Sequence, residues 1–289
     1  MSKKYKAIIF IIISAFCFAC MNVFVKLAGD LPSVQKSFFR NLVAVFFALI
    51  VIKKNNTNLK INKGDLKYLI ARASFGTIGI LCNFYAVDHL MVADASMLNK
   101  LSPFFVIIFS YFLLKEKIKP YQLVCLLIAF VGAIFVIRPT GLNMNMASLV
   151  GICGGMCAGL AYTFVRLLAS RGVNGSLIVL FFSTFSCLVV LPAVLINYQP
   201  MQAYQLGYLL LAGLAATGGQ FGVTLAYSNA PGKEISIYDY SQIIFSTILS
   251  FIILGEVPPV ISFVGYFLIA TASGIMFILN KRNNRQDMQ

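Results

Sequence analysis

The sequence predicts an all-α integral membrane protein of ten transmembrane helices, arranged as two five-helix repeats of inverted topology. Three observations predict it. The 289-residue chain is 60% hydrophobic, its mean hydropathy is +0.87 and only 11% of its residues are charged, whereas soluble domains carry roughly twice that charged share. Residues 1–140 are echoed by the remainder at a constant offset of 140: Phe24-Val25-Lys26-Leu27 lies over Phe164-Val165-Arg166-Leu167, Tyr68-Leu69 over Tyr208-Leu209, Gly79 over Gly219, and Leu114-x-Glu116 over Leu254-x-Glu256. A period this long is a duplicated half-protein and not a solenoid unit. Basic residues, finally, fall almost entirely on one predicted side.

Ten apolar runs approach the ~20 residues that a helix needs to cross ~30 Å of hydrocarbon. They lie near 7–27, 34–52, 68–87, 95–114, 121–138, 148–168, 176–197, 206–226, 235–254 and 260–279. Runs of this length must be helices, because unpaired backbone groups are costly in lipid and barrel strands are shorter and alternating. The first run follows Lys3, Lys4 and Lys6, is longer than a signal-peptide core and lacks a small-x-small cleavage site, so it reads as an uncleaved helix. The second carries Lys36 and Arg40 on one face (i, i+4) and ends at Lys53 and Lys54. Arg72 and Asn83 lie in the third. The fourth holds Asn99-Lys100 just before Pro103, and Pro192 lies in the seventh; each proline is expected to bend or interrupt its helix. Gly151, Gly155 and Gly159 in the sixth, and Gly218 and Gly222 in the eighth, have the four-residue spacing that lets backbones pack closely, a spacing also compatible with a hinge. The ninth carries Asp239-Tyr240, and the tenth precedes a short basic tail with Lys281, Arg282 and Arg285.

Charge distribution sets the orientation. With the N-terminus cytoplasmic, most of the 23 basic residues fall on inner segments: Lys3, Lys4, Lys6, Lys53, Lys54, Lys60, Lys63, Lys67, Lys115, Lys117, Lys119, Arg166, Arg171, Lys233, Lys281, Arg282 and Arg285. Outer segments hold only Lys26, Lys36 and Arg138, which places both termini in the cytoplasm of a plasma (inner) membrane protein. Five helices per copy force the second copy to insert upside down. Its loop charges should therefore diverge, and Lys115-Glu116-Lys117-Ile118-Lys119 is indeed replaced by Gly255-Glu256-Val257-Pro258-Pro259. The domains expected are 1–140 and 141–289. The net charge of +14 is read as affinity for anionic lipid, with no nucleic-acid partner implied.

No catalytic pattern is present. The single histidine, His89, stands beside Asp88 at a predicted outer end; it is read as solvated, with outer pH sensing as the alternative. The seven cysteines all fall within apolar runs, so no disulfide framework follows, and Cys17-x-x-Cys20 reads as small apolar packing. No metal-spaced cluster or phosphate loop appears, and no cofactor is expected.

Ionisable residues inside the spans carry more information, since each is expensive in lipid. These are Arg40, Arg72, Lys100 and Asp239, the last two at a level where both copies keep a polar pair. Snorkelling or pairing within the protein is the alternative to a functional role for each. Counting a rise of ~1.5 Å per residue from the predicted span ends separates Lys100 and Asp239 by on the order of 12 to 18 Å, so no direct ion pair is expected. Two polar stations are expected instead, an outer one with Arg40 and Lys100 and an inner one with Asp239 and Arg72. Arg40 with Lys36 reads equally well as a topology anchor, and Asp30, Asp88 and Asp94 are available to neutralise these cations. Asn22, Asn83 and Gln220 are amides that need hydrogen bonds, from each other or from a ligand. Tyr162, Tyr238 and Tyr240 offer hydroxyls at polar levels.

Phe39-Arg40-Asn41, Phe84-Tyr85-Ala86, Leu101-Ser102-Pro103, Leu114-Lys115-Glu116-Lys117 and Gly132, with Glu234-Ile235-Ser236-Ile237, Leu254-Gly255-Glu256, Gly265 and Gly274 in the second half, resemble the EamA-type branch of the drug/metabolite transporter superfamily. The resemblance covers essentially the whole chain. It implies a basket in which helices one, three, four, six, eight and nine surround a cavity while five and ten lie peripherally, and export of amino acids, other metabolites or drugs without ATP hydrolysis. It also implies cavity roles for Asn22, Asn83, Asn99, Lys100, Tyr162, Gln220, Tyr238 and Asp239. Glu116 and Glu256 match the family's glutamate and, at span ends, are expected to cap the following helix. Cys125 and Ala272 depart from the glycines of their repeat partners, which questions close packing of the terminal helices.

The function expected is secondary transport, in the export direction, of a small polar or zwitterionic metabolite such as an amino acid or derivative. Arg40, Arg72 and Asp239 are the gating or coupling candidates, and Glu234 is an equally plausible proton carrier. A homodimer is compatible with the sequence. The alternatives are an intramembrane lipid- or prenyl-modifying enzyme, which would need clustered carboxylates or a His/Asp pair, and a membrane scaffold without transport.

Overall fold

The computed structural model describes residues 3–56, 61–115, 120–137, 146–230 and 238–286. Lys60, Glu116, Lys117, Lys119, Arg138, Lys233 and Glu234 lie outside them. Eleven helices have both ends described: α1 (Lys3–Leu27), α2 (Ser33–Lys54), α3 (Lys63–His89), α4 (Val92–Asn99), α5 (Ser102–Leu114), α6 (Pro120–Ile137), α7 (Met146–Ser170), α8 (Gly175–Ile196), α9 (Ala203–Asn229), α10 (Ser241–Leu254) and α11 (Val260–Gln286). The described residues contain no strand. Among the described residues eight segments are long and apolar enough to cross a membrane, α4 and α5 together forming one of them, while Pro120–Gly132 and α10 are shorter apolar helices. Large apolar side chains face outward all round, with Phe112, Leu195, Ile196, Ile252 and Phe267 at least 70% exposed. That surface is made for hydrocarbon.

The fourth segment is a broken helix. Pro103 has no N–H for the Asn99 carbonyl, so the α4 hydrogen-bond ladder cannot run on into α5. The chain tightens into a turn in which Leu101 N donates to Leu98 O at 3.2 Å, and α5 restarts at Ser102 with proline in its first turn, where a missing N–H costs nothing. Its repeat counterpart breaks too, at Tyr240, whose backbone caps α10, although the sequence there has Ile243 where the first half has Pro103. Non-helical backbone at this depth is tolerated because protein, not lipid, surrounds it. The other internal proline acts differently: α8 runs continuously through Pro192.

The most extensive helix pairings run between the two halves: α1 on α9, α3 on α7, α2 on α8 and α6 on α11. Exchanging the halves turns α1 on α9 into α7 on α3, and maps α2 on α8 and α6 on α11 onto themselves. The halves are thus related by a two-fold exchange. Close approach is carried by the glycine runs. A Cβ on Gly155 would lie 2.8 Å from Leu98 O, and one on Gly159 2.7 Å from both Ser102 O and Phe105 Cβ. The α7 backbone therefore lies directly against the α4/α5 break and fixes its position. The terminal helices are close as well: a Cβ on Gly132 would meet Ile269 at 2.7 Å, and Cys125 and Ala272 are both buried in that contact region. Departure from glycine at the two positions has not loosened it.

Candidate functional site

A narrow cavity of about 60 Å³ lies where the two halves meet, room for a few water-sized groups in this conformation. Phe18, Met21 and Asn22 of α1 line it, with Arg40 of α2, Arg72, Gly76, Gly79, Ile80 and Asn83 of α3, and Asn99 and Lys100 at the α4 break. The second half contributes Ala158, Ala161 and Tyr162 of α7, Phe182 of α8, Gln220 of α9 and Gln242 of α10. Phe18 and Ala158, Met21 and Ala161, Asn22 and Tyr162, and Ile80 and Gln220 are each separated by the repeat offset of 140. The cavity therefore straddles the internal symmetry. Its lining also includes α2 and α8, beyond the six helices the family resemblance implied, while no described side chain of α6 or α11 lines it.

Of the expected cavity residues, Asn22, Asn83, Asn99, Lys100, Tyr162 and Gln220 line this space, and Tyr238 and Asp239 do not. Tyr238 packs edge-on against Phe277. Asp239 reaches the cavity wall only through Lys100, whose Nζ lies 2.7 Å from Asp239 Oδ2, both side chains being 3% exposed. This corrects the expected separation of the two residues. The depth count assumed two continuous helices, whereas the eight residues of α4 carry Lys100 about 12 Å in from Val92 and its long flexible stem covers part of the remaining gap. The two breaks then meet at the symmetry axis: Tyr240 Oη donates to Lys100 O at 2.9 Å, linking residues related by the offset itself.

The two expected stations collapse into one site. Arg40 and Arg72 both line the cavity, at 1% and 2% exposure. Their guanidinium carbons sit 5.8 and 4.2 Å from the centre of the same Phe182 ring. Arg40 Nη1 donates to Asn41 Oδ1 at 2.6 Å, and Asn41 is itself held by Ser37 and Ser186. Arg40 Nε, Arg72 Nε and Arg72 Nη1 have no hydrogen-bond partner. Among the described residues no carboxylate pairs with either arginine. Asp88 takes Lys36 at 2.5 Å, Asp94 accepts from Tyr266 Oη at 2.6 Å, and Asp65 pairs with Arg171; Asp30 is exposed. Neutral amides line the same cavity. Asn83 Nδ2 donates to Asn22 Oδ1 at 3.1 Å, Asn22 Nδ2 to Ser96 Oγ at 3.2 Å, and Ser96 meets Ser246 at 2.9 Å, a chain crossing α3, α1, α4 and α10.

Lys26, one helical turn beyond Asn22 on α1, ties that helix to the junction between α3 and α4. Its Nζ donates to Val87 O at 2.9 Å and Leu90 O at 2.6 Å and lies 3.5 Å from Glu256 Oε1. Glu256 Oε2 accepts from Val92 N at 2.8 Å. The glutamate thus caps α4 of the opposite half, not the helix that follows it, because the exchange of halves brings its loop against that N-terminus. Glu116 lies outside the described residues. Phe182 and Gln242 were absent from the sequence expectation. Gln242 carried the same signal as Gln220, an amide in an apolar run; Phe182 carried none among 26 phenylalanines.

Repeated helical halves enclosing a small cavity with charged and amide side chains in its wall, and an apolar exterior, define a multi-pass membrane transporter of small molecules. The family comparison makes that specific: the EamA-like transporter family matches residues 5–138 and again 145–279, and the chain belongs to it. It is 29% identical over 264 residues to the pseudopaline exporter CntI of Pseudomonas aeruginosa, covering 90% of this chain and 92% of that protein. Solute carrier family 35 member G1 of Homo sapiens is 26% identical across 86% of this chain and 72% of its own length. A riboflavin transporter of Vibrio cholerae is 22% identical across 85% and 84%. A solved crystal structure superposes with a TM-score of 0.73 at 12% identity, covering 96% of this chain and 98% of that one, which shows the fold. The family and these relatives are transporters, not enzymes.

Proposed function

We propose that the protein is a secondary exporter that moves a small polar or zwitterionic metabolite, such as an amino acid or derivative, by alternating access through the cavity between its halves. The observation that carries this reading is the cavity itself: guanidiniums from the first half that no described carboxylate pairs, and buried amides from both halves, in a site shielded from lipid. Buried charge of this kind is costly and marks substrate pathways. The name of the Pseudomonas aeruginosa relative supports the export direction. In this reading α4 and α5 form one crossing and Tyr238–Leu254 another, giving ten crossings with both termini in the cytoplasm of the plasma membrane. The two repeats occupy 1–140 and 141–289.

Alternating access needs a closure at each end. Lys26 supplies one, and the offset places Arg166 at its equivalent position; Arg166, Ala169, Ser170, Tyr227, Ser228, Asn229 and Ala230 line a separate recess at the far end of α7 and α9, where Tyr227 and Ala230 correspond to Val87 and Leu90. Rocking of the halves would exchange one closure for the other. The test is counterflow of labelled amino acids and derivatives in proteoliposomes, with and without an imposed pH gradient. Saturable flux that the gradient changes supports coupled export. Absence of flux across a broad metabolite panel sinks the proposal and favours a scaffold.

A further inference from the structure

Two guanidiniums share one phenyl ring inside the cavity, and the described carboxylates are all engaged elsewhere or exposed. From this we infer that the transported solute carries two acidic groups, and that Arg40 and Arg72 are the residues that take them; the inference rests on the transport reading above and deepens it. The charge count leads there. Lys100 is neutralised by Asp239, and Lys36 by Asp88. Among the described residues Arg40 and Arg72 remain as two buried positive charges lining a cavity with neutral amides, an arrangement that a low-dielectric site holds at a cost until an anion enters. Both keep donors in reserve: Arg40 Nε, Arg72 Nε and Arg72 Nη1 are buried without a partner. Guanidinium matches the paired oxygens of a carboxylate, and a phosphate monoester offers the same double charge.

The site is built to hold these cations in place. Asn41, tied to Ser37 and to Ser186 of the other half, fixes Arg40. Arg72 folds back along its own helix over Gly76, where a Cβ would lie 2.2 Å from Arg72 Nη1 and 2.8 Å from Phe182 Cε2. Only glycine leaves that notch open, so Gly76 positions the guanidinium on the ring. The amides of Asn22, Asn83, Asn99, Gln220 and Gln242 then face the remainder of the solute and suit its amino or hydroxyl groups. The solute class is accordingly a dicarboxylic amino acid derivative or another small organic dianion.

The experiment is thermal protection of the purified, full-length protein in nanodiscs at fixed ionic strength, with glutarate, its monoamide, its diamide and glycerol phosphate as probes. The expected result is protection by glutarate at a concentration about tenfold below that of the monoamide, with none from the diamide. Glycerol phosphate matching glutarate identifies charge as the recognised feature, and its failure identifies the paired carboxylates; either supports the inference. Arg72→Gln should erase the difference between glutarate and monoamide. Gly76→Ala, which keeps both charges but displaces the guanidinium, should reduce it several-fold and serves if Arg72→Gln does not fold. Equal protection by all probes, protection by none, or an unchanged ratio in both variants overturns the inference. Discrimination in this assay without flux in proteoliposomes retires transport and leaves the dianion site standing. Flux of neutral solutes without discrimination does the reverse.

Discussion

The two halves share a shape and differ in charge. Positions 18 and 158, 21 and 161, 22 and 162, and 80 and 220 face the same cavity from opposite sides, yet among the described residues all three cations that line it come from the first half. The counterparts of Arg40, Arg72 and Lys100 at the offset are Leu180, Ala212 and Tyr240. Duplication preserved the helix pairings that make the space, since those depend on small residues at backbone contacts. Divergence then changed what the space binds. A symmetric pair of cation sets would hold an anion on both sides of the axis; a one-sided set gives the solute a single orientation.

The largest effect should come from breaking this asymmetry at its source. Arg72→Gln is expected to lower substrate flux by about 30-fold or more, the order of a lost buried charge contact, whereas Ala212→Ser, at the equivalent position, should change it by less than about threefold. Comparable losses from both would mean that the halves contribute alike. Next is the pair at the axis. Lys100→Met leaves Asp239 buried and unpaired and should cost about 3–5 kcal/mol in thermal or denaturant unfolding, while the double variant Lys100→Met with Asp239→Asn should recover most of it. An additive double variant would dissolve the pair as a unit. Glu256→Gln removes a partly exposed ion pair and part of a cap, so flux should shift by no more than about fivefold. The smallest effect belongs to His89→Gln. The ring is exposed, stacked on Tyr85 at 4.1 Å, with Nδ1 2.8 Å from the Tyr85 carbonyl, and the pH profile of transport should not move.

Much of the architecture was legible because lipid enforces simple rules. Span positions follow from hydropathy, and the glycine runs foretold where backbones touch: Gly155 and Gly159 do lie on the carbonyls at the α4/α5 break. Pro103 foretold the break itself. The equivalent break at Tyr240 had no proline to announce it, only the register. Side-chain partnerships across the axis were not legible, because they depend on how far two broken helices overlap. Hence the depth count kept Lys100 and Asp239 apart, divided one cavity into two stations, and passed over Phe182, whose ring matters only once Arg40 and Arg72 converge on it.

The cap supplied by Glu256 has a consequence for the order in which the protein is made. The N-terminus of α4 and the ammonium of Lys26 belong to segments synthesised early, but the carboxylate that satisfies both is 164 residues beyond Val92 in the chain. Until that carboxylate leaves the ribosome, the first half waits in the bilayer with an unfinished helix end. That latch therefore forms only when most of the chain has been inserted, and a truncated chain ending before Glu256 would keep that end unlatched.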